Sequence, residues 1–445
     1  MKKLLRSTKA VTRMTLILVA IVVVAVGAGS YFVYTTWFAP PEPFTLSIWT
    51  HWTGDTSKNL IEYVEEYEEL NPWITIEYEA IDLDELVKKI PADFIAGNLP
   101  DIIHYSGTAD LAERGVIVEA PAYITSDVQE NFIEIGIQGV TVQDKIWGYP
   151  TEAGNTLFIY NSEMFENAGV TEVPETWDEL LEAFDKVSQY DPSTGEPIQL
   201  AMSIPNWSDE NVAAFFILVW CNGGEVFTED PFRANWNSPE AIEAAEFIRS
   251  WIDEGYADPK WTTWDEGIRK ETISAAIVAS WFGHWVIELD APEVYPKFRA
   301  APVPYNPLRI DHSVSRGYNM AWYVTSQSEH QEEAWAFLKW LNSEMMAGQT
   351  YTRMAAQLAE CVGMPCCHAA SEHPLYETEW FAPFVQELRT PGHVRAMPPM
   401  KGSSEVQEIM HRALETIWFE DADVETTLNQ ATAEANVILE EYYPE

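Results

Sequence analysis

The chain has 445 residues, 47% hydrophobic and 13% aromatic, which excludes disorder and suits two bodies of ordinary domain size better than one core. Seventy acidic residues against 26 basic give a formal net charge of −44, and five of the basic residues (Lys2, Lys3, Arg6, Lys9, Arg13) sit in the N-terminal tail. The remainder is therefore more acidic still and repels nucleic-acid phosphate and anionic lipid. Carboxylates spread through most helices read as a solvated surface, with a cleft for a cationic ligand as the sharper alternative.

Taken in order, the chain begins with a basic tail (1–14) and an uncharged apolar run within 15–36. About twenty such residues span a bilayer as a helix, and the basic flank leaves everything beyond it outside the cytoplasm. A cleaved signal peptide is the competing reading. Ala28-Gly29-Ser30 offers only weak cleavage sites and the run stays apolar afterwards, which favours a retained membrane anchor. No cysteine lies close enough for a lipoprotein anchor. A proline-rich stalk (37–44) follows.

Alternation from Thr45 to Thr50 predicts a first strand, and Leu60, Ile61, Val64 and Tyr67 mark a helix that ends at Asn71-Pro72. Ile74 to Ala80 alternates as a second strand, a Pro91-containing helix follows from about Asp84, and Asp101 to Tyr105 is a third strand. This order opens a mainly parallel sheet, which binds ligands in loops beyond its strands' carboxyl ends.

Leu157 to Tyr160 reads as a strand, and Thr176 with Glu179 as a capping box on the next helix. Asp191 to Gly195 is a turn, Val212 to Cys221 an apolar helix, and Ser238-Pro239 a capped helix start. Strands are expected at Ala275 to Trp281 and Met320 to Thr325, and helices at Glu332 to Leu341, Glu405 to Trp418 and Val424 to Leu439.

Cys221 ends an apolar run and reads as a buried thiol. Cys361, Cys366 and Cys367 lie close together in an oxidising location, so a local disulfide from Cys361 is expected; with His368 and His373, zinc is the alternative, although no zinc-module spacing is matched. There is no phosphate loop, no His-Glu-x-x-His, no G-x-S-x-G and no C-x-x-C, hence no catalytic signature. The informative excess is tryptophan, nineteen in all. Most must pack cores, while a minority in loops fits sugar recognition, where a pyranose face lies flat on an indole.

Three tracts carry a family resemblance: W-x-x-W-x-G from Trp49, N-P-x-I-x-I with A-G-N-x-P-D-I-I from Asn71 and Ala96, and G-Y-P, Y-N, F-x-x-A-G, P-x-T-W-D-E-L between Gly148 and Leu180. Together they resemble the family 1 extracellular solute-binding proteins, the maltose-binding-protein-like receptors of ABC sugar importers. The resemblance implies a two-lobed α/β periplasmic-binding-protein fold of type II, each lobe a mainly parallel sheet flanked by helices. It assigns 45–154 and 299–346 to lobe 1 and 155–298 and 347–445 to lobe 2, with Phe298 to Val303 as the return crossing.

It further implies ligand contacts from Trp52, Thr53 and Asp55 after the first strand, and from Tyr105, Ser106 and Thr108 after the third. Glu152 and Asn155 lie in the hinge tract, Trp207, Trp281 and Trp285 deliver aromatic faces, and the loops at Met364 and Ser404 border the cleft. Known relatives often carry an acidic residue near Thr108 that contacts ligand hydroxyls. The implied function is an extracytoplasmic, monomeric, cofactor-free receptor that captures a sugar or oligosaccharide and delivers it to an ABC importer's membrane subunits. A carbohydrate-active enzyme and a same-fold receptor for a peptide or polyamine are the alternatives.

Overall fold

The computed structural model describes residues 42–444 apart from 205–207, 230–231, 362, 369–372 and 399, and leaves out the side chains of 54, 55, 84, 208, 209, 264, 285 and 404. The N-terminal tail and anchor segment therefore lie outside the described residues. Among the described residues, no helix is long and apolar enough to cross a membrane.

The first part of the chain folds as its alternation dictates. Strand β1 (Phe44–Thr50) pairs in parallel with β2 (Ile74–Ala80) and with β3 (Ile102–Tyr105). Helices α1 (Lys58–Leu70) and α2 (Leu83–Ala96) make the crossovers. Leu60, Val64 and Tyr67 of α1 are buried with Leu46 and Ile48 of β1, so one apolar helix face covers one sheet face.

Strand β4 (Tyr149–Asn161) is a single 13-residue element, far longer than the apolar run at its end suggests. Beyond it come α3 (Trp177–Val187), β5 (Pro197–Met202), α4 (Ser208–Cys221), α5 (Pro239–Asp253) and β6 (Ile273–Ala279). The capping box at Thr176 and Glu179 forms as expected, and Ser238 caps α5. Strands β7 (Phe298–Ala301) and β8 (Ser315–Val324) both run antiparallel to β4. Helices α6 (Gln331–Asn342), α7 (Arg353–Cys361), α8 (Phe381–Arg389), α9 (Ser403–Glu420) and α10 (Val424–Tyr442) complete the chain, with the short β9 (Val394–Ala396) alongside β8. The sheet order is β2-β1-β3-β8-β4-β6-β5, ending at a short strand at Gln189–Tyr190.

The side chains fall into two separate bodies. Tyr149 and Ala153 of β4, and Ala321 to Val324 of β8, are buried in a first core with β1–β3, α1, α2 and α6. Leu157, Phe158 and Ile159 of β4 lie in the cores on either face of the second body, with β5, β6, α3–α5, α9 and α10. Two neighbouring strands thus pass from one body to the other, hydrogen-bonded to each other where they cross. This is a two-lobed α/β architecture.

Three expectations are corrected. The segment Phe298 to Val303 does not return to the first body: it pairs with the second-body half of β4, Phe298 and Val303 are buried there, and the crossing belongs to β8. Helix α7, assigned to lobe 2, packs in the first core through Met354, Ala355, Leu358 and Cys361. Arg353 ties it there, with Glu66 at 2.9 Å and its guanidinium 3.8 Å from the centre of the Trp340 ring.

Nor does any of the four cysteines form a disulfide. The Cys361 thiol donates to the Thr56 carbonyl at 3.1 Å and accepts from Gln357 at 3.0 Å, while Cys366 is packed over Gly136. Cys221 is buried in the second body as expected, donating to the Val314 carbonyl at 3.3 Å, and burial pushes its thiol up to about 12.

Candidate functional site

The crossing strands bring an unusual set of polar side chains to the junction between the bodies. Gly154 of β4 pairs with Tyr318 of β8, and the phenol ring lies across the glycine. A Cβ at Gly154 would stand 2.0–2.2 Å from the ring's outer atoms, so only glycine admits this approach. Glu152, two residues earlier on the same strand face, sets its carboxylate against Gly363, whose Cβ would lie 3.1 Å from the carboxyl carbon. Tyr376 holds that loop from beneath, its hydroxyl donating to the Gly363 carbonyl at 2.8 Å.

From the second body, Ser280 follows the end of β6, and Glu210 projects from the first turn of α4. The Tyr318 hydroxyl lies near enough to Glu152, Ser280 and Glu210 for each to act on it electrostatically or as a neighbour. Yet its contacts with Glu152 and Ser280 lack hydrogen-bond geometry, and the Tyr318 Oη and Ser280 Oγ are buried without a hydrogen-bond partner. Ser280 is 1% exposed.

Burial raises Glu152 from the ordinary carboxylate range to about 7, the nearby Tyr318 hydroxyl opposing the shift. Among the described residues, no basic side chain acts on it. Although enclosed on most sides, Glu152 keeps partial exposure. That combination marks a largely enclosed carboxylate at the junction of the bodies, where a cleft between them would have its floor. Tyr318 is held neutral by burial first and by Glu152 second.

Other candidates are distributed differently. Trp52 is 4% exposed and packed against His104 and Trp322, with ring centres 4.2 and 5.7 Å away, so the indole is core rather than a stacking platform. His51 stacks on His104 beside it; burial lowers His51 to about 4, and the Nδ1 atoms of both imidazoles lack partners. Thr53 is exposed, and Tyr105 and Ser106 are half-buried beyond β3.

Thr108 is 4% exposed, and its hydroxyl is taken up by the Gly139 carbonyl at 2.6 Å and the Tyr323 hydroxyl at 2.7 Å. It braces the first body and has no face left for a ligand. Met364 is likewise buried at 1%, and contributes its carbonyl to Ala153 N–H at 2.8 Å. Asn155 is fully buried, with neither amide atom partnered. Trp281 is half-buried and edge-on to Phe282, 6.2 Å between centres. Trp207 and the side chains of Asp55, Trp285 and Ser404 lie outside the described residues.

Sequence reasoning missed Tyr318, Ser280 and Glu210. The usable signal was glycine inside a strand at Gly154 and again at Gly317, which announces a close approach by another side chain or backbone. Nothing in the pattern says that the approaching group is Tyr318. Among the described residues, no group of three or more His, Cys, Asp or Glu is placed to hold a metal ion.

Comparison with known proteins agrees with this architecture. A putative binding protein of Brucella abortus is 24% identical over 397 residues, covering 87% of this chain and 91% of its own. The sugar-binding protein MalE of Xanthomonas citri superposes with a TM-score of 0.74 at 15% identity, covering 89% of this chain and 98% of its own. The cyclic alpha-maltosyl-1,6-maltose binding protein of Arthrobacter globiformis gives 0.72 at 21% identity, covering 90% and 100%. The model of the family described as bacterial extracellular solute-binding protein matches residues 53–347, two bodies and crossing strands included, and the chain is a member of that family.

Proposed function

We propose that this chain captures a saccharide between its two bodies outside the cytoplasm and presents it to the membrane subunits of an ABC importer. The observation that carries the reading is the match to the solute-binding family over residues 53–347, which includes both crossing strands. Similar proteins named for sugars, such as a maltodextrin-binding protein of Bacillus subtilis that is 22% identical over 317 residues, support a saccharide as the solute.

The mechanism follows from the crossing. Strands β4 and β8 are the shared backbone about which the bodies rotate, and a ligand seated on the floor touches both bodies only when they close. Ligand binding therefore shifts the population toward the closed form. Trp281, half-buried beside the floor, supplies the indole on which a pyranose face lies, with Trp207 and Trp285 as further aromatic candidates. Glu152 and neighbouring polar groups take the hydroxyls. The chain acts by binding rather than turnover, and the apolar segment within 15–36 holds it at the membrane.

The test is a melting screen of the full chain over mono- and oligosaccharides. A ligand that binds only the folded state at a hundredfold excess over Kd stabilises it by about 2.7 kcal/mol. Trp281→Ala should then weaken the best ligand by about tenfold or more, without lowering the unliganded melting temperature by a similar measure. Hydrolysis of the oligosaccharides, or a panel in which none shifts the transition, would overturn the reading.

A further inference from the structure

Glu152 is a carboxylate enclosed at the junction of the bodies, and among the described residues no basic side chain acts on it. Beside it stand two buried hydroxyls without hydrogen-bond partners, Tyr318 Oη and Ser280 Oγ. Glu210, a second acid, acts on Tyr318 from the opposite body, and the Arg316 guanidinium acts on the same hydroxyl in the contrary sense without acting on Glu152. Resting on the reading above, we propose that this cluster selects a saccharide carrying a protonated primary amine, an amino sugar, in the unit that reaches the floor.

The argument begins with what such a floor needs. A buried carboxylate without a cation is costly, and a ligand that brings the missing positive charge removes that cost. A neutral hydroxyl can donate one hydrogen bond to Glu152 but leaves the charge uncompensated. An ammonium donates three: one to the Glu152 carboxylate as a charge-assisted bond and, when the bodies part and uncover them, the others to Tyr318 Oη and Ser280 Oγ, both of which can accept. Such an ion-paired bond is about twice as strong as its neutral counterpart.

The arrangement also rejects the acetylated sugar. An N-acetyl group has one N–H and no charge, and its methyl would face the polar atoms. The whole molecule adds to the preference, since a body with a net charge of −44 concentrates cations at its clefts and slows the approach of anions. Glu152 titrating at about 7 makes the recognition dependent on pH, because the amine binds the ionised carboxylate.

The experiment is calorimetric titration of the full chain, in mild detergent, with sets of saccharides that differ at one position only: amine, N-acetyl or hydroxyl. The probes are glucosamine and its β-1,4-linked tetramer, their N-acetylated counterparts, and glucose with its β-1,4-linked tetramer, cellotetraose. Each is titrated at about pH 6 and about pH 7.5, either side of the carboxyl's midpoint. The amine members should bind at least about tenfold tighter than their neutral partners at the higher pH. That advantage should vanish in Glu152→Gln, with melting curves showing that the variant is folded. Tyr318→Phe should lose part of it.

Equal affinity for amine and neutral members, or an advantage that survives in Glu152→Gln, would sink the amine assignment while leaving saccharide capture standing. If neither amine nor neutral saccharides bind, the functional reading fails and this inference with it.

Discussion

Glu152 has a consequence for stability that is independent of any ligand. Its carboxyl is raised by burial to about 7 in the folded chain, whereas in the unfolded chain it titrates in the usual glutamate range of about 4.3. Between those values the folded state binds the extra proton, so stability falls as pH rises through this window and levels off above it. The expected outcome is a melting temperature that declines from about pH 4.5 to about pH 7 more steeply in the natural chain than in Glu152→Gln. Parallel profiles would show that the carboxylate is well solvated.

Residue identities at the site were only partly legible for a physical reason. An indole buries as well against a histidine as against a sugar, so the composition of a loop does not reveal which partner it has, and Trp52 packs on His104. A threonine hydroxyl is equally ambiguous until its partners are known, and Thr108 spends its own on Gly139 and Tyr323. The tract around Glu152 was legible only as a link between the bodies, which the strand Tyr149–Asn161 forms.

At the scale of the element, local signals performed well wherever the physics is local. The Thr176 box that opens α3 forms with Glu179 Oε2 accepting from the Thr176 N–H at 3.1 Å, and the Thr176 hydroxyl accepting from the Glu179 N–H. Thr176→Ala should cost about 1 kcal/mol in chemical denaturation, within the usual range for a lost cap. A change below about 0.3 kcal/mol would mean that tertiary packing of Trp177 on Phe247, stacked at 4.1 Å, fixes the helix start alone. Longer-range features were less readable. Tyr149–Asn161 is one strand because three different partners pair with successive parts of it, β8 first and then β6 and β7. Periodicity within the strand changes as it leaves one core for another, so the alternation that marks a strand breaks where function needs it.

For the whole molecule, charge is the strongest single influence. With 70 acidic and 26 basic residues, repulsion across the surface opposes compaction and weakens as salt screens it. Raising the ionic strength from about 0.01 M to about 0.5 M shortens the Debye length from about 30 Å to about 4 Å, and should raise the melting temperature. A fall instead would assign the larger role to ion pairs such as Arg353–Glu66 and Lys297–Glu271. Division into two bodies followed from length and the family tracts, whereas the place of each crossing did not. The return runs through β8 and not through Phe298 to Val303, since only the pairing partner of each segment tells which of them crosses.

The shared strands also govern how the chain is made. During synthesis the first body emerges early, yet Ala321 to Val324 fill its core and helix α6 ends at Asn342, near the close of the third quarter of the chain. Until then the nascent polypeptide must carry an unfinished ladder at β3 and β4, an open edge that invites wrong pairing. Delivery of such a chain unfolded across the membrane avoids this, with both bodies closing together once the last crossing has emerged on the far side.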